Sequence, residues 1–288
     1  MSIFVLMKVY PFKIPKPENS ALIYQEDIEL VFYDKLHQHD EIQISFIEQG
    51  KGTLLVGDSI SSYTTNDIFI IGSNLPHAFK SEENTLEKSK MLSLFFTSKS
   101  FGDIFFSLDE FEEIRSFFDK SEKGFRITSN QKEIKHLFSK LKEATKMERF
   151  IIFLKLMKLI SSSEFEYLSS FNYSKKYTDR EGNRMRSVFE YTIENAHLPI
   201  TLLEISEVAN MTKNAFCKYF KKRTNKTYIN FLTELRIENA CKILQKSKEI
   251  SINEIAFNVG FSNISNFNRQ FKRLKKTTPT NYRNHLFG

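Results

Sequence analysis

Two cysteines, Cys217 and Cys241, are all that the 288 residues hold, and they do not form a CxxC pair. That excludes a disulfide framework and a cysteine zinc site, and leaves two small apolar side chains in a reducing compartment. Long apolar runs are missing as well. The longest candidate, Phe150 to Ile160, is broken by Lys155 and Lys158, far short of the ~20 apolar residues that span a bilayer. The opening SIFVLMK has an apolar core shorter than the ~7–15 residues of a secretory leader. These absences predict a cytoplasmic chain with no membrane partner. Acidic residues are scarce at one end only. From 181 to 288 there are 18 Lys+Arg against 9 Asp+Glu, while the whole chain has 42 against 35 and a net charge of +7. The positive excess therefore sits in the last third, which favours a polyanion partner there and a neutral task for the rest. A solvated basic surface would show the same charge, so pattern has to decide.

Residues 20 to about 100 read as β structure. EIQISFIEQ, GTLLVGD, NDIFIIG and MLSLFFT are short apolar runs separated by the turn signals QGKG, VGDS, TTND and GSNLPH. Such spacing suggests a sandwich or barrel. From about 108 the pattern becomes helical. Ile134, Leu137, Phe138 and Leu141 fall on one helical face, and Glu148 to Ser162 is apolar on nearly every side. SSFNYSKKYTDREGN, 169–183, lacks periodicity and reads as a linker, and from Arg184 onward all is helix and short turn. The expected class is α+β in two domains, 1–168 and 184–288.

The second domain contains a repeat. ITLLEISEVANMTKNAFCKYFKK, 200–222, returns as ISINEIAFNVGFSNISNFNRQFKR, 250–273. Both copies open on a capping box, Thr201-x-x-Glu204 and Ser251-x-x-Glu254, in which hydroxyl and carboxylate satisfy orphan amides at a helix start. Each breaks after two turns, at Asn210-Met211 or Gly260-Phe261, where Gly and less easily Asn accept φ > 0. A second cap follows, Thr212 in one copy and Ser262 or Asn263 in the other. The next helix carries Phe216 and Phe220, or Phe267 and Phe271, four apart on one face. This is the layout of two helix-turn-helix units, 201–222 and 251–273. On the outer face the paired positions are Lys213/Ile264, Asn214/Ser265, Cys217/Asn268 and Lys218/Arg269. Asn suits adenine, Arg and Lys suit guanine, and Ile meets a thymine methyl, so these eight are the candidate base readers. Thr212, Lys221, Lys222, Lys272 and Arg273 are the candidate phosphate contacts. Each is equally an ordinary exposed helix position when taken alone. The helical pattern Tyr228 to Lys246 between the copies spans about 28 Å at 1.5 Å per residue. Two readers on one face of B-DNA sit about 34 Å apart, so the connector is of the right order.

With these residues in view, 184–286 resembles the DNA-binding domain of the AraC/XylS family of bacterial transcription regulators. The most specific stretch is INEIAFNVGFSNISNFNRQFKRLKKTTPTNYR, with Pro279 and Tyr282-Arg283 near its end; YFKKRTNKTYINFLTELRIENACKIL is also close to the family pattern. Asn225 and Lys276 depart from it, standing where the family usually has glycine. The first half, through HQHDEIQISFIEQGKGTLLVGDSI and TTNDIFIIGSNLPHAF, resembles the cupin-like sensor domain that often precedes such a DNA-binding domain. That resemblance implies a small-molecule effector, a sugar or another metabolite, held without metal. It also implies dimerisation through the helices at 131–163, whose bland alternative is packing on the barrel.

His37, His39 and Glu41 alternate onto one face of the expected strand, with His77 at a later strand end, and are the candidate effector residues. Three His and one Glu also fit a divalent metal, but metal-dependent cupin enzymes place the Glu three or four residues beyond HxH. No metal, cofactor or catalytic residue is therefore expected. The reading is a sequence-specific transcription regulator, bound to double-stranded DNA in the nucleoid, controlled by an effector, homodimeric, and in contact with RNA polymerase if it activates. The alternative is a metal-dependent cupin enzyme with an accessory basic domain. A nonspecific architectural or RNA binder fits poorly, since generic polyanion binding needs charge and not capped, spaced helices.

Overall fold

Strand β2, Ile42–Gln49, sets the layering of the N-terminal half. Ile42, Ile44 and Phe46 enter one buried core and Ile47 another, the period-2 alternation of a strand buried on both sides. The computed structural model describes residues 20–82, 87–170 and 178–287. The strands around β2 are β1 (Ile23–Glu29), β3 (Gly52–Val56), β4 (Ser59–Tyr63), β5 (Ile68–Ile71), β6 (His77–Ser81) and β7 (Ser89–Phe96). Two three-residue strands follow, β8 (Phe125–Ile127) and β9 (Phe165–Tyr167). All pairings are antiparallel, in a six-stranded sheet β1-β7-β2-β5-β8-β9 and a three-stranded sheet β4-β3-β6. Leu54, Val56, Tyr63 and Phe79 of the smaller sheet meet Ile47, Phe69, Ile71 and Met91 of the larger, which closes one core between them. The other face of the large sheet is covered by α1 (Arg115–Ser121), α2 (Gln131–Ser139) and α3 (Lys146–Ser161).

The helices expected at 131–163 are α2 and α3. Ile134 and Phe138 are buried, as the spacing requires, and α3 starts on a capping box between Thr145 and Glu148. β8 and β9 fall where only helix was expected. Both are too short to carry a period and exist because the β5 edge offers them a ladder. His37 to Glu41, expected to lie along a strand, precede β2 and make bridge contacts in place of a ladder, His37 with His77 among them. Residues 171–177 of the expected linker lie outside the described residues. Its flanks are ordered: Asp58 accepts hydrogen bonds from the hydroxyls of Ser169 and Ser170, and α4 (Asp179–Asn195) begins five residues before Arg184 on a capping box of Thr178 and Glu181.

The remainder is helical: α5 (Leu202–Val208), α6 (Lys213–Thr224), α7 (Tyr228–Lys246), α8 (Ile252–Asn258), α9 (Ile264–Lys275) and α10 (Pro279–Phe287). The connector α7 belongs to two cores. Tyr228, Phe231, Leu232 and Leu235 pack with α4 to α6, while Ile237, Ala240, Cys241 and Leu244 pack with α8 to α10. Thr201 and Glu204 form the expected reciprocal capping box; at Ser251 only the hydroxyl-to-Glu254 half is present. Asn210 and Gly260 take φ of +51° and +94°, the left-handed turns expected between the helices. Asn225 and Lys276 end α6 and α9 at φ of +55° and +59°, so lysine adopts the same turn as asparagine. Among the described residues no helix is long and apolar enough to cross a membrane.

A Cβ at Gly260 would lie 2.5 Å from the Ala196 carbonyl oxygen and 2.8 Å from Arg236 Nε. Arg236 cannot retreat cheaply, because Nε and Nη2 donate to the carbonyls of Ala196 and Leu198, each at 2.7 Å. Gly260→Ala should therefore cost roughly 1–3 kcal/mol through backbone strain and this clash. Denaturant unfolding of the full chain measures it, and an unchanged midpoint would contradict the assigned role.

Candidate functional site

Helix α6 is capped by Thr212, whose hydroxyl accepts from the Ala215 amide, and its rotation is set by Phe216 and Phe220, both fully buried. With those rings inward, Lys213, Asn214, Cys217 and Lys218 are exposed, and Lys221 and Lys222 follow on the surface one turn later. Arg223 turns back instead. It pairs with Glu181 at the start of α4, and Tyr219 donates to the Glu181 carbonyl at 3.0 Å. Helix α9 repeats the scheme. Asn263 is its cap, accepting from Asn266 N at 3.0 Å, and Phe267 and Phe271 are fully buried. Ser265, Asn268, Arg269, Lys272 and Arg273 are exposed, whereas Ile264 is half-buried against the second core. Asn266 was not among the expected readers. Its Oδ1 accepts from Arg269 Nη2 at 2.9 Å, which holds the guanidinium along the helix surface. The three-residue spacing from Asn266 to Arg269 was the available signal.

A cavity of about 580 Å³ opens between the sheets. Its wall includes Asp27 and Glu29 of β1, Tyr33, Gln43 of β2, Phe79 and Phe95, together with His37, His39 and His77. The three imidazoles come together: ring centroids are 4.3 Å apart for His37 and His77, 5.0 Å for His39 and His77, and 6.0 Å for His37 and His39. Each Nδ1 sits on a backbone carbonyl, at 2.8 Å from Lys35 O, 2.9 Å from Glu41 O and 2.8 Å from Leu75 O. Glu41 is placed otherwise than expected. Its carboxylate lies 3.7 Å from His39 Nδ1, off the cavity wall, and the side chain that reaches the cavity is Gln43, 3.1 Å from His39 Nε2. The backbone before β2 is not extended, so the alternation that put Glu41 beside the histidines does not operate there.

The cavity loop is held by α4. Arg186 Nε donates to the Leu36 carbonyl at 2.8 Å, and Lys35 Nζ lies 3.3 Å from Glu190. Leu36, Leu55, Ile60 and Ala78 of the sheets share one buried core with Met185, Val188 and Phe189 of α4 and with Phe216 and Phe220 of α6. Along α7, Lys242 donates to Thr53 Oγ1 and Lys246 meets Glu82 at 2.9 Å. Burial pushes the Lys242 ammonium below its ordinary value. Burial alone would raise the Glu82 carboxyl, but the Lys246 hydrogen bond and the charges of Lys246, Lys51 and Lys242 bring it below the usual range. The second unit, α8 and α9, has its own core, shared with α7, and its Gly260 turn lies against the Ala196 carbonyl at the end of α4.

Residues 19–149 match the family described as an AraC-like ligand binding domain, and residues 205–285 match one described as a helix-turn-helix domain. The chain is similar to the HTH-type transcriptional activator RhaR of Mannheimia succiniciproducens, 24% identical over 253 residues that make up 86% of each chain. It is 30% identical over 89 residues to an uncharacterized HTH-type transcriptional regulator, YobQ of Bacillus subtilis, covering 31% of this chain and 36% of that one. Among solved structures, the C-terminal domain of the response regulator yesN from Fusobacterium nucleatum aligns with 35% of this chain and 98% of its own, at 27% identity and a TM-score of 0.34. Apo ToxT from Vibrio cholerae aligns with 94% of this chain and 100% of its own, at 15% identity and a TM-score of 0.37.

The two thiols report on the α6 surface. Cys217 is exposed, while burial pushes Cys241 up to about 11. A thiol reagent at a pH of about 8 should label Cys217 in the native chain and both residues after denaturation. Native labelling of Cys241, read by peptide mass, would contradict the packing of α7.

Proposed function

We propose, for a chain that belongs to the AraC family of helix-turn-helix transcription regulators, that an effector at the barrel cavity acts through α4 on the first of two DNA-reading units. The chain is a DNA-binding regulator under effector control and not an enzyme, which sets aside the cupin-enzyme alternative. The reading of the site is supported above all by one observation: two separately capped helices bury a phenylalanine pair and expose polar and basic side chains opposite it. The base readers are Lys213, Asn214, Cys217, Lys218, Ser265, Asn268 and Arg269, with Ile264 limited to an edge contact by its packing. Lys221, Lys222, Lys272 and Arg273 meet phosphates as each helix leaves the groove, and Thr212 adds its hydroxyl from the cap. The proposed division keeps the linker at 169–183 and the DNA-binding domain from Arg184, with helix α4 already under way from Asp179.

Effector control needs a ligand that favours one arrangement of the two halves over another. The Tyr33–His37 segment supplies the connection. Tyr33 and His37 line the cavity, while Lys35 and Leu36 of the same segment are held by Glu190 and Arg186 on α4. Drawing that segment toward an effector pulls on α4 and, through the shared core, on α6. The chain acts in the cytoplasm on the nucleoid and, if it activates, touches RNA polymerase. Its homodimer forms through α3, where Met147 and Ile151 are 68% and 46% exposed beside an otherwise buried apolar face.

Lys218→Ala and Arg269→Ala should each cost about 1–3 kcal/mol and relax specificity in different halves of one site. Lys221→Ala should weaken every sequence alike and lower the salt slope by about one. Titrations on a mapped site and its single-base variants check both; a sequence-selective loss at Lys221 contradicts the phosphate role. Arg186→Ala removes the clamp without touching either recognition helix, so it should shift the DNA affinity of the effector-free full chain severalfold. An unchanged affinity would contradict transmission through α4.

A further inference from the structure

We propose that His37, His39 and His77 form a three-imidazole site for a divalent transition-metal ion of the zinc type, at the wall of the barrel cavity. One ligating atom from each residue lies within 4.8 Å of the others, and the three residues are 9%, 1% and 1% exposed. Zinc–imidazole bonds of about 2.0–2.1 Å place tetrahedral donors about 3.3 Å apart, so small rotations about the side-chain bonds complete the set.

The surroundings suit such a site in two respects. The Nδ1 of every ring is taken by a backbone carbonyl, Lys35 O, Glu41 O or Leu75 O. A carbonyl accepts only, so in neutral His37 and His77 the proton resides on Nδ1 and Nε2 is the ligating atom, while His39 Nε2 faces Gln43 Oε1 and exchanges that contact for the ion on binding. This is the outer-sphere arrangement that orients metal-bound histidines. The backbone also clips two ligands together: His37 N donates to His77 O at 3.1 Å and His77 N to His37 O at 2.9 Å. Two rings therefore arrive side by side from separate segments before any ion binds. That is preorganisation, which a purely apolar wall has no use for.

Gln43 clarifies the fourth position. Its amide oxygen Oε1 stands 3.1 Å from His39 Nε2, where a metal-binding carboxylate would be useful, its Nε2 donates to Ser45 Oγ at 2.6 Å, and Glu41 is off the wall. The ligand set is then neutral, with the amide as fourth neighbour. Imidazole donors favour Zn²⁺, Ni²⁺, Cu²⁺ and Fe²⁺ over Mg²⁺ and Ca²⁺, which require oxygen. The site stands on the geometry of the three histidines and not on the regulator reading, so a chain that binds DNA but takes up no metal overturns this inference alone.

The test uses the full-length chain, stripped of metal and titrated with Zn²⁺ by calorimetry and with Co²⁺ by absorption. One ion per chain is expected. His39→Gln and His77→Gln should each weaken binding roughly 10–100-fold or more, while Glu41→Gln retains it. Should either histidine variant unfold, X-ray absorption at the zinc edge of the native chain decides: an imidazole shell at about 2.0–2.1 Å supports the site. Absence of stoichiometric binding, an oxygen-only shell, or loss in Glu41→Gln with retention in a folded His77→Gln would overturn it.

Discussion

Phe216 and Phe220 on α6, and Phe267 and Phe271 on α9, sit one turn apart and are buried completely. Full burial of such a side chain contributes about 1.5–3 kcal/mol, so rotating either helix by a third of a turn would forfeit most of that and wet two aromatic rings. The outer faces inherit their chemistry from this constraint. Asn214 and Lys218, or Ser265 and Arg269, face water because the residues beside them cannot. The caps at Thr212 and Asn263 then fix where each helix starts, and the left-handed turns at Asn210 and Gly260 fix how it is approached. Helix α7 joins the two arrangements into one body by dividing its apolar side chains between both cores.

The barrel holds the two units unequally. Its Leu55 and Ile60 are continuous with the core of the first unit, while the core of the second includes no barrel residue. The polar part of the contact combines unlike terms. Arg186 is buried with its charge on a carbonyl, and Lys242 is penalised by the burial that lets it reach Thr53. Removing ammonium groups from water is costly, so a contact with this composition is less tightly bound than an apolar one of equal size. Glu82 is stabilised as a carboxylate by the lysines of α7, and that contribution is present above the ordinary carboxylate pKa and lost as the pH falls through its lowered folded value. Such an interface suits the proposed exchange of one arrangement of the halves for another.

Much of the C-terminal half was legible from sequence because its determinants are local. Capping residues, turn residues and four-residue aromatic spacing all act within one helix or one turn, and the repeat stated them twice. Lys276 shows the limit of that reading: a lysine follows the glycine-like turn because the helices on either side demand it. In the barrel, β2, β3, β5 and β7 announced themselves as apolar runs, whereas β8 and β9 depend on a distant edge and carry no pattern. The placement of Glu41 failed for a related reason. Alternation holds only along extended backbone, and the segment from His37 to Glu41 bends before β2 begins. That the histidine rings approach within 4.3 Å across forty residues, and that Arg186 reaches Leu36, are long-range facts with no local signature.

The central claim is that α6 and α9 enter one duplex together, at a separation held by α7. Inserting about 5 bp between the two halves of a mapped site rotates them to opposite faces of B-DNA, and about 10 bp restores the face at a longer distance. Affinity for the full chain should fall to that of a single half-site with the first insertion and recover little with the second, since α7 is one continuous helix of fixed length. Undiminished affinity across both insertions would show that the two helices act independently, and the account would not stand.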